Sequence, residues 1–182
     1  MAQVCLVGSD DVNLRYELLS RETARNALVT YDLREPFANT VQLQTVSLGA
    51  AVALLNDLNW YLVRFADAAF VKVPSISDSE WLSRELATAI RDDDIAPHDT
   101  GRFLRVYGIV DGDEFDDADG AGSSAEDTSD YGPAAAGTTE DRPQRLVEPM
   151  LLTRTGETIP DYDLRAVTDT LVVRVTESEF GA

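Results

Sequence analysis

Apolar residues are densest at 58–73, LNWYLVRFADAAFVKV, where β-branched and aromatic side chains stand on both sides of Ala66-Asp67-Ala68. That composition suits two short strands, 60–65 and 69–73, at the centre of a sheet and joined by a tight link at 66–68. The link lacks the glycine-containing signal of a primed two-residue turn. Upstream, the apolar run at 3–7 stops at Gly8-Ser9 and gives way to an amphipathic segment over 12–28. Leu14, Tyr16, Leu18, Leu19, Ala27 and Leu28 share one broad face of that segment, so a strand runs into a helix. Ser9 or Asp10 can cap the helix, and Asp10 and Asp11 place negative charge at its positive end. The alternation VQLQTV at 41–46 predicts a strand with one solvated face, and Ser47 caps a short helix through Leu55 and Leu58. The opening order is therefore β-α-β-α-β.

Further along, Ser77-x-x-Glu80 forms a capping box ahead of a helix whose apolar stripe is Trp81, Leu82, Leu86, Ala89 and Ile90. The helix ends near Arg91, because Asp92-Asp93-Asp94 would oppose its negative end and Pro97 follows. Strands are predicted at 103–110 (FLRVYGIV), at 145–153 (RLVEPMLLT), and at 171–175 within TLVVRVT. Pro149 places the second of these at an edge or on a bulge. Between the first two, 111–142 changes abruptly to Asp, Glu, Gly, Ala, Ser and Thr. Such a segment cannot bury enough surface to offset ordering its backbone at roughly 1–2 kcal/mol per residue, so it is expected to be disordered. Residues 1–110 and 143–182 then form one folded domain, with the insert as an overgrown hairpin connection between neighbouring strands. The fold class is α+β (or α/β), a single mixed sheet of five to seven strands packed by two long helices and one short one.

A chain of 182 residues supports one sizeable core. Charge changes the picture more, since the formal net charge is -18 from 33 acidic and 15 basic residues, and Lys72 is the only lysine. In molar salt the Debye length is about 3 Å, so the self-repulsion of such a surface is screened while its carboxylates still hold water. The segments VCLVGSDDVNLRYELLSRETAR, LNWYLVRFAD and TLVVRVTESEF resemble an uncharacterised haloarchaeal family, a domain of unknown function. That resemblance covers the chain apart from the insert and implies no activity, ligand or site residue. With no secretory leader and no run of about 20 apolar residues, a cytoplasmic protein that does not enter membranes is expected. Nucleic acid is disfavoured as a partner for want of a basic patch, and an unidentified protein partner is expected.

Candidate chemistry is sparse. Gly8-Ser9-Asp10-Asp11 sits where the first strand meets the first helix, at the carboxyl end of a strand, where ligands collect in open α/β sheets. Asp10 and Asp11 could hold Mg²⁺ through oxygen ligands while Gly8 and Ser9 present backbone donors to a phosphate. Helix capping and an acidic surface account for the same residues. The acidic pair after an apolar strand also resembles receiver domains. There the pattern departs, because 60–65 is followed by Ala66-Asp67 and Lys72 does not follow a late strand. His98 beside Asp99 could orient an imidazole, although no nucleophile is identified. Cys5, Trp60 and Trp81 read as core, and Asp92-Asp93-Asp94 as a solvated charge run rather than a calcium loop. The function expected is a non-enzymatic regulatory or protein-interaction domain. The alternative is a degenerate receiver-like or nucleotide/Mg-binding domain using the 8–11 turn.

Overall fold

The computed structural model describes residues 1–112 and 142–181. Most of the insert expected at 111–142 therefore lies outside the described residues. Seven strands form one mixed sheet: β1 (Ala2–Gly8), β2 (Thr40–Thr45), β3 (Ala66–Lys72), β4 (Trp81–Ser83), β5 (Phe103–Val110), β6 (Arg145–Thr153) and β7 (Asp169–Arg174). Their order is β2-β1-β3-β4-β7-β5-β6, all neighbours antiparallel except β4 with β7. The α+β class and the mixed sheet match the expectation. So does the adjacency of β5 and β6, the strands that flank the insert, paired from Phe103↔Thr153 to Val110↔Arg145.

The helices differ more. They are α1 (Leu14–Ser20), α2 (Glu22–Leu28), α3 (Leu48–Asp57), α4 (Asn59–Phe65), α5 (Arg84–Arg91) and α6 (Glu177–Phe180). The long helix expected over 12–28 is two helices, broken where Arg21 adopts an extended backbone. Its cap is neither Ser9 nor Asp10 but Asn13, whose side chain accepts the Tyr16 N–H. Ser47 does cap α3, accepting from Ala50 N–H.

The aromatic stretch taken for a hairpin divides otherwise. Residues 59–65 are α4, and 66–68 begin β3 instead of turning. Leu58 and Leu62 are buried, while Tyr61 and Phe65 pack against the same cluster. Spacing of three and four residues is the helical period, and here it outweighs β-branched and aromatic composition. Trp60 consequently faces outward, 49% exposed, with the Arg64 guanidinium 3.9 Å from its ring centre. The expectation of a core Trp60 is overturned.

Ser77 does accept the Glu80 N–H as a capping residue would, yet the chain then extends through β4, and α5 starts only at Arg84, capped by Ser83. Trp81 and Leu82 are thus consecutive strand residues on opposite faces of the sheet, not members of one helical stripe. Leu82 joins the helix-side core with Val4, Leu6, Val41, Leu43 and Val71. Trp81 joins the other face with Cys5, Phe70, Ile109, Leu171 and Val173.

That second face is covered mainly by side chains of the sheet, with Phe37 and Phe180 of α6 packed against them. In the strand order β3 and β5 are three places apart, about 14 Å in a flat sheet at 4.7–4.9 Å per strand. The Phe70 and Tyr107 rings on those strands nevertheless lie 5.3 Å apart. The two ends also meet, because Ala38 N–H donates to Gln144 C=O at 2.8 Å and Arg145 pairs with Asp10 at 3.0 Å. The sheet is bent into an open half-barrel with α1 to α5 on its convex side. On the convex side of β5–β7, Leu104, Val106 and Leu152 form a small separate cluster.

A partly buried ion triad pins the far end. Arg154 and Arg174 each donate to one oxygen of Glu80, and Arg174 also reaches Thr100 Oγ1 at 3.0 Å. Gly101, at φ +98°, lets the backbone pass beside both guanidinium groups. Burial opposes the Glu80 charge, but hydrogen bonds from Arg174 and then Arg154 outweigh it and hold the carboxyl below its usual range. A depressed acid stabilises the fold above its unfolded pKa, and that contribution is lost as pH falls through the folded value. Replacing Trp81 by alanine is expected to cost about 3–5 kcal/mol in denaturant unfolding. Trp60→Ala is expected to cost under about 1 kcal/mol, and equal losses would contradict the assignment of faces.

Candidate functional site

The turn after β1 is held from three directions. Gly8 N–H donates to Asn39 C=O at 2.9 Å, and Ser9 N–H donates to Phe65 C=O at 3.0 Å. Asn39 binds back through its side chain, Nδ2 to Ser9 C=O and Oδ1 from Leu14 N–H, both at 2.9 Å. Its backbone is left-handed, φ 54°, a conformation asparagine tolerates better than most residues. A Cβ on Gly8 would stand 2.5–2.8 Å from that side chain, so Gly8 makes room for Asn39. The backbone donors of Gly8 and Ser9, read from the sequence as offered to a phosphate, are engaged by carbonyls.

The side chains of the turn also have partners. Ser9 Oγ donates to Asp67 Oδ1 at 2.7 Å. Asp10, with 85% of its side chain exposed, pairs with Arg145. Asp11 is exposed and does not line the cleft described next. Gly8, Asp10 and Asp67 line that cleft, and Ser9 reaches it through Asp67.

The cleft, of about 600 Å³, opens between this turn and the start of β6, where the two ends of the bent sheet come together. Its apolar walls include Val7, Val12, Ala68, Leu146 and Pro149, and Tyr107 and Asn39 add polar tips. Each side carries a β-bulge. On β3, Val7↔Ala68 is followed by Gly8↔Ala66, leaving Asp67 as the extra residue. On β6, Tyr107↔Pro149 is followed by Gly108↔Val147, leaving Glu148 as the extra residue. Bulges re-aim side chains, and both of these turn a carboxylate toward the same cleft. Glu148 is paired with Arg165. Burial raises the Tyr107 phenol above its ordinary pKa, against the lowering influence of the Arg105 guanidinium.

A second cleft of about 320 Å³ shares Asp67 and Ala68 with the first and continues past Arg84, Glu85, Arg105 and Glu179. Burial raises the Glu179 carboxyl and the neighbouring Glu85 adds to the shift, while donors on Ser83 and Thr176 oppose it. Ser83 Oγ lies 2.6 Å from Glu179 Oε2.

The remaining sequence candidates lie elsewhere. Cys5 is buried on the inner face, and burial pushes its thiol up to about 12. His98 stands in a short 3₁₀ turn, Pro97–Asp99, with its side chain 82% exposed and 3.6 Å from Asp99. Asp92, Asp93 and Asp94 are exposed at the end of α5. Among the described residues no group of three or more His, Cys, Asp or Glu side chains is arranged to hold a metal ion. Of the two carboxylates expected to hold Mg²⁺, Asp10 is paired with Arg145 and Asp11 is exposed outside the cleft lining.

Sequence reasoning missed Asn39, Asp67, Tyr107, Arg145 and Glu148. Pro149 was the available signal, since it announced an irregular strand next to Glu148. Gly8→Ala is expected to destabilise by about 1–3 kcal/mol, because a methyl group is forced against a packed side chain. The penalty should shrink markedly in an Asn39→Gly background, and an unchanged penalty would show that Asn39 is not the obstacle.

No curated protein and no solved structure matches the chain. The model of a family of unknown function, DUF5804, matches residues 2–109, from the start of β1 into β5. That stretch holds the 8–11 turn, Asn39, Asp67 and Tyr107, whereas Arg145 and Glu148 lie beyond it. With more than half of its length matched, the chain belongs to this family of unknown function, DUF5804.

Proposed function

We propose that this protein is a non-enzymatic regulatory domain of a salt-rich cytoplasm, and that it responds to a small ligand taken into the cleft beside the 8–11 turn. The observation that carries this reading is the position of the cleft. It lies where the Ala38–Gln144 hydrogen bond and the Asp10–Arg145 pair join the two ends of the bent sheet. A ligand touching both walls would favour the joined arrangement by its differential affinity for it, which is what a regulatory domain requires. The volume, the apolar walls and the few convergent polar groups suit a small organic molecule.

Neither Cys5, buried with a raised thiol pKa, nor His98, exposed on the 97–99 turn, lines the cleft, which supports binding over catalysis by a cysteine or histidine. The salt-rich habitat is supported by the -18 charge and by the single lysine among 15 basic residues. No helix among the described residues is long and apolar enough to cross a membrane. A nucleotide with Mg²⁺ at Asp10 and Asp11 is the alternative ligand. A second reading, docking of a partner protein, is favoured by Trp60 and Val63, which stand 49% and 72% exposed three residues apart on α4.

The test is thermal unfolding in molar KCl against a set of small organic ligands, and against nucleotides with and without Mg²⁺. A ligand present at about 100 times its Kd adds about 2.7 kcal/mol, a rise of several degrees. The cleft reading expects such a rise, diminished in Asp10→Ala/Arg145→Ala. A rise that needs Mg²⁺ and is lost in Asp10→Ala/Asp11→Ala would favour the nucleotide. No rise, together with a partner captured at native salt by the wild type but not by Trp60→Ala, would favour docking.

A further inference from the structure

The charge balance inside the cleft points to the kind of ligand it takes, provided that the cleft is the binding site proposed above. Three of its carboxylates already hold a cation: Asp10 has Arg145 at 3.0 Å, Glu35 has Arg15 at 3.5 Å, and Glu148 has Arg165. Asp67 does not. Its Oδ1 accepts the neutral Ser9 hydroxyl, and among the described residues no arginine, lysine or histidine stands within ion-pair distance of it. Of the arginines that line the adjoining cleft, Arg84 donates to Asn56 at 3.3 Å, and neither Arg84 nor Arg105 forms an ion pair with Asp67.

Asp67 is exposed, and its distinction is its place in the sheet. It is the extra residue of the β3 bulge, and it belongs to the walls of both clefts. Val7 and Ala68 flank it with apolar surface, and Tyr107 lines the same cleft with an aromatic ring. A charged acceptor with one neutral donor, set between aliphatic walls and an aromatic ring, is complementary to an ammonium group carried on an apolar body. The ammonium gains charge-assisted hydrogen bonds and ring contact, and the body fills the space that a bare ion would leave wet.

We propose that the ligand of this cleft is an organic cation, a primary or secondary amine on an apolar body, with its ammonium group on Asp67 and its body against Val7, Ala68 and Tyr107. The apolar body is what lets such a ligand compete with the inorganic cations of a salt-rich medium. Asp67 is a binding residue in this account, and Ser9 orients its carboxylate.

A matched trio tests this at constant ionic strength: 2-phenylethylamine, 2-phenylethanol and phenylacetate, which share a body and differ in charge. Each is titrated into the ¹⁵N-labelled full chain in molar KCl, and the amide shifts of Gly8, Ser9, Ala68 and Tyr107 are followed. The amine is expected to bind at least about tenfold more tightly than the alcohol, with phenylacetate weakest. Asp67→Asn retains an acceptor for Ser9 but removes the charge, and should abolish the preference. Ser9→Ala, which retains the charge, should leave most of it. Equal or tighter binding of the alcohol or the carboxylate at those amides, or a preference that survives Asp67→Asn, would overturn the organic cation while leaving the cleft as a binding site. If none of the three moves those amides, the organic cation is likewise overturned, and the cleft itself stands or falls by the wider thermal series.

Discussion

The contact between Phe70 and Tyr107 sets the constraint on which the rest of the structure depends. Two rings on strands three places apart meet only if the sheet between them curves, and curvature gives the chain two unlike faces to fill. The convex face takes α1 to α5 in the usual manner of an α+β layer. The concave face is closed mainly by side chains of the sheet itself, with Cys5, Phe70, Trp81, Leu171 and Val173 converging from four strands. Phe37 and Phe180 of α6 add to it from outside the sheet, and curvature brings opposite ends of the sheet within reach of each other.

Curvature also leaves a seam. The two ends approach closely enough for the Ala38–Gln144 hydrogen bond but do not form a ladder, so the half-barrel stays open along one side. The bulges at Asp67 and Glu148 stand beside this seam, where they interrupt regular pairing and turn a carboxylate into the gap. Asn39 completes the arrangement by tying the ends of β1 and β2 to the start of α1 through one side chain and one carbonyl. The cleft is thus a consequence of how a curved sheet fails to close, and its polar groups are those that the irregular backbone re-aims.

Much of this order was legible in the residues. The strands β1, β5, β6 and β7 follow from apolar runs and β2 from alternation, the pairing of β5 with β6 from their flanking the insert, and the irregularity from Pro149. The stretch 59–65 misled because tryptophan, tyrosine, phenylalanine and valine favour strands, yet Leu58, Tyr61, Leu62 and Phe65 recur at the helical period. Trp81 and Leu82 fit a helical stripe equally well as a local pattern, and the short β4 takes them because β3 and β7 lie on either side of it. At the candidate site, the 8–11 turn was found from its place after a strand. Its partners were not, since Asn39, Asp67 and Arg145 lie 25 or more residues away in the chain and carry no local signature. The ion triad of Glu80, Arg154 and Arg174 was hidden for the same reason, its members being 74 and 94 residues from Glu80.

Curvature can be measured without knowing the ligand. In a nuclear Overhauser spectrum of the folded protein in molar KCl, the ring protons of Phe70 and Tyr107 should give direct cross-peaks, as centroids 5.3 Å apart require. Strong ring-to-ring cross-peaks would establish the bent sheet. Their absence, with the β3–β4 and β5–β7 ladders intact in the same spectrum, would mean a flat sheet, and the inner core and the cleft would both be lost from the account.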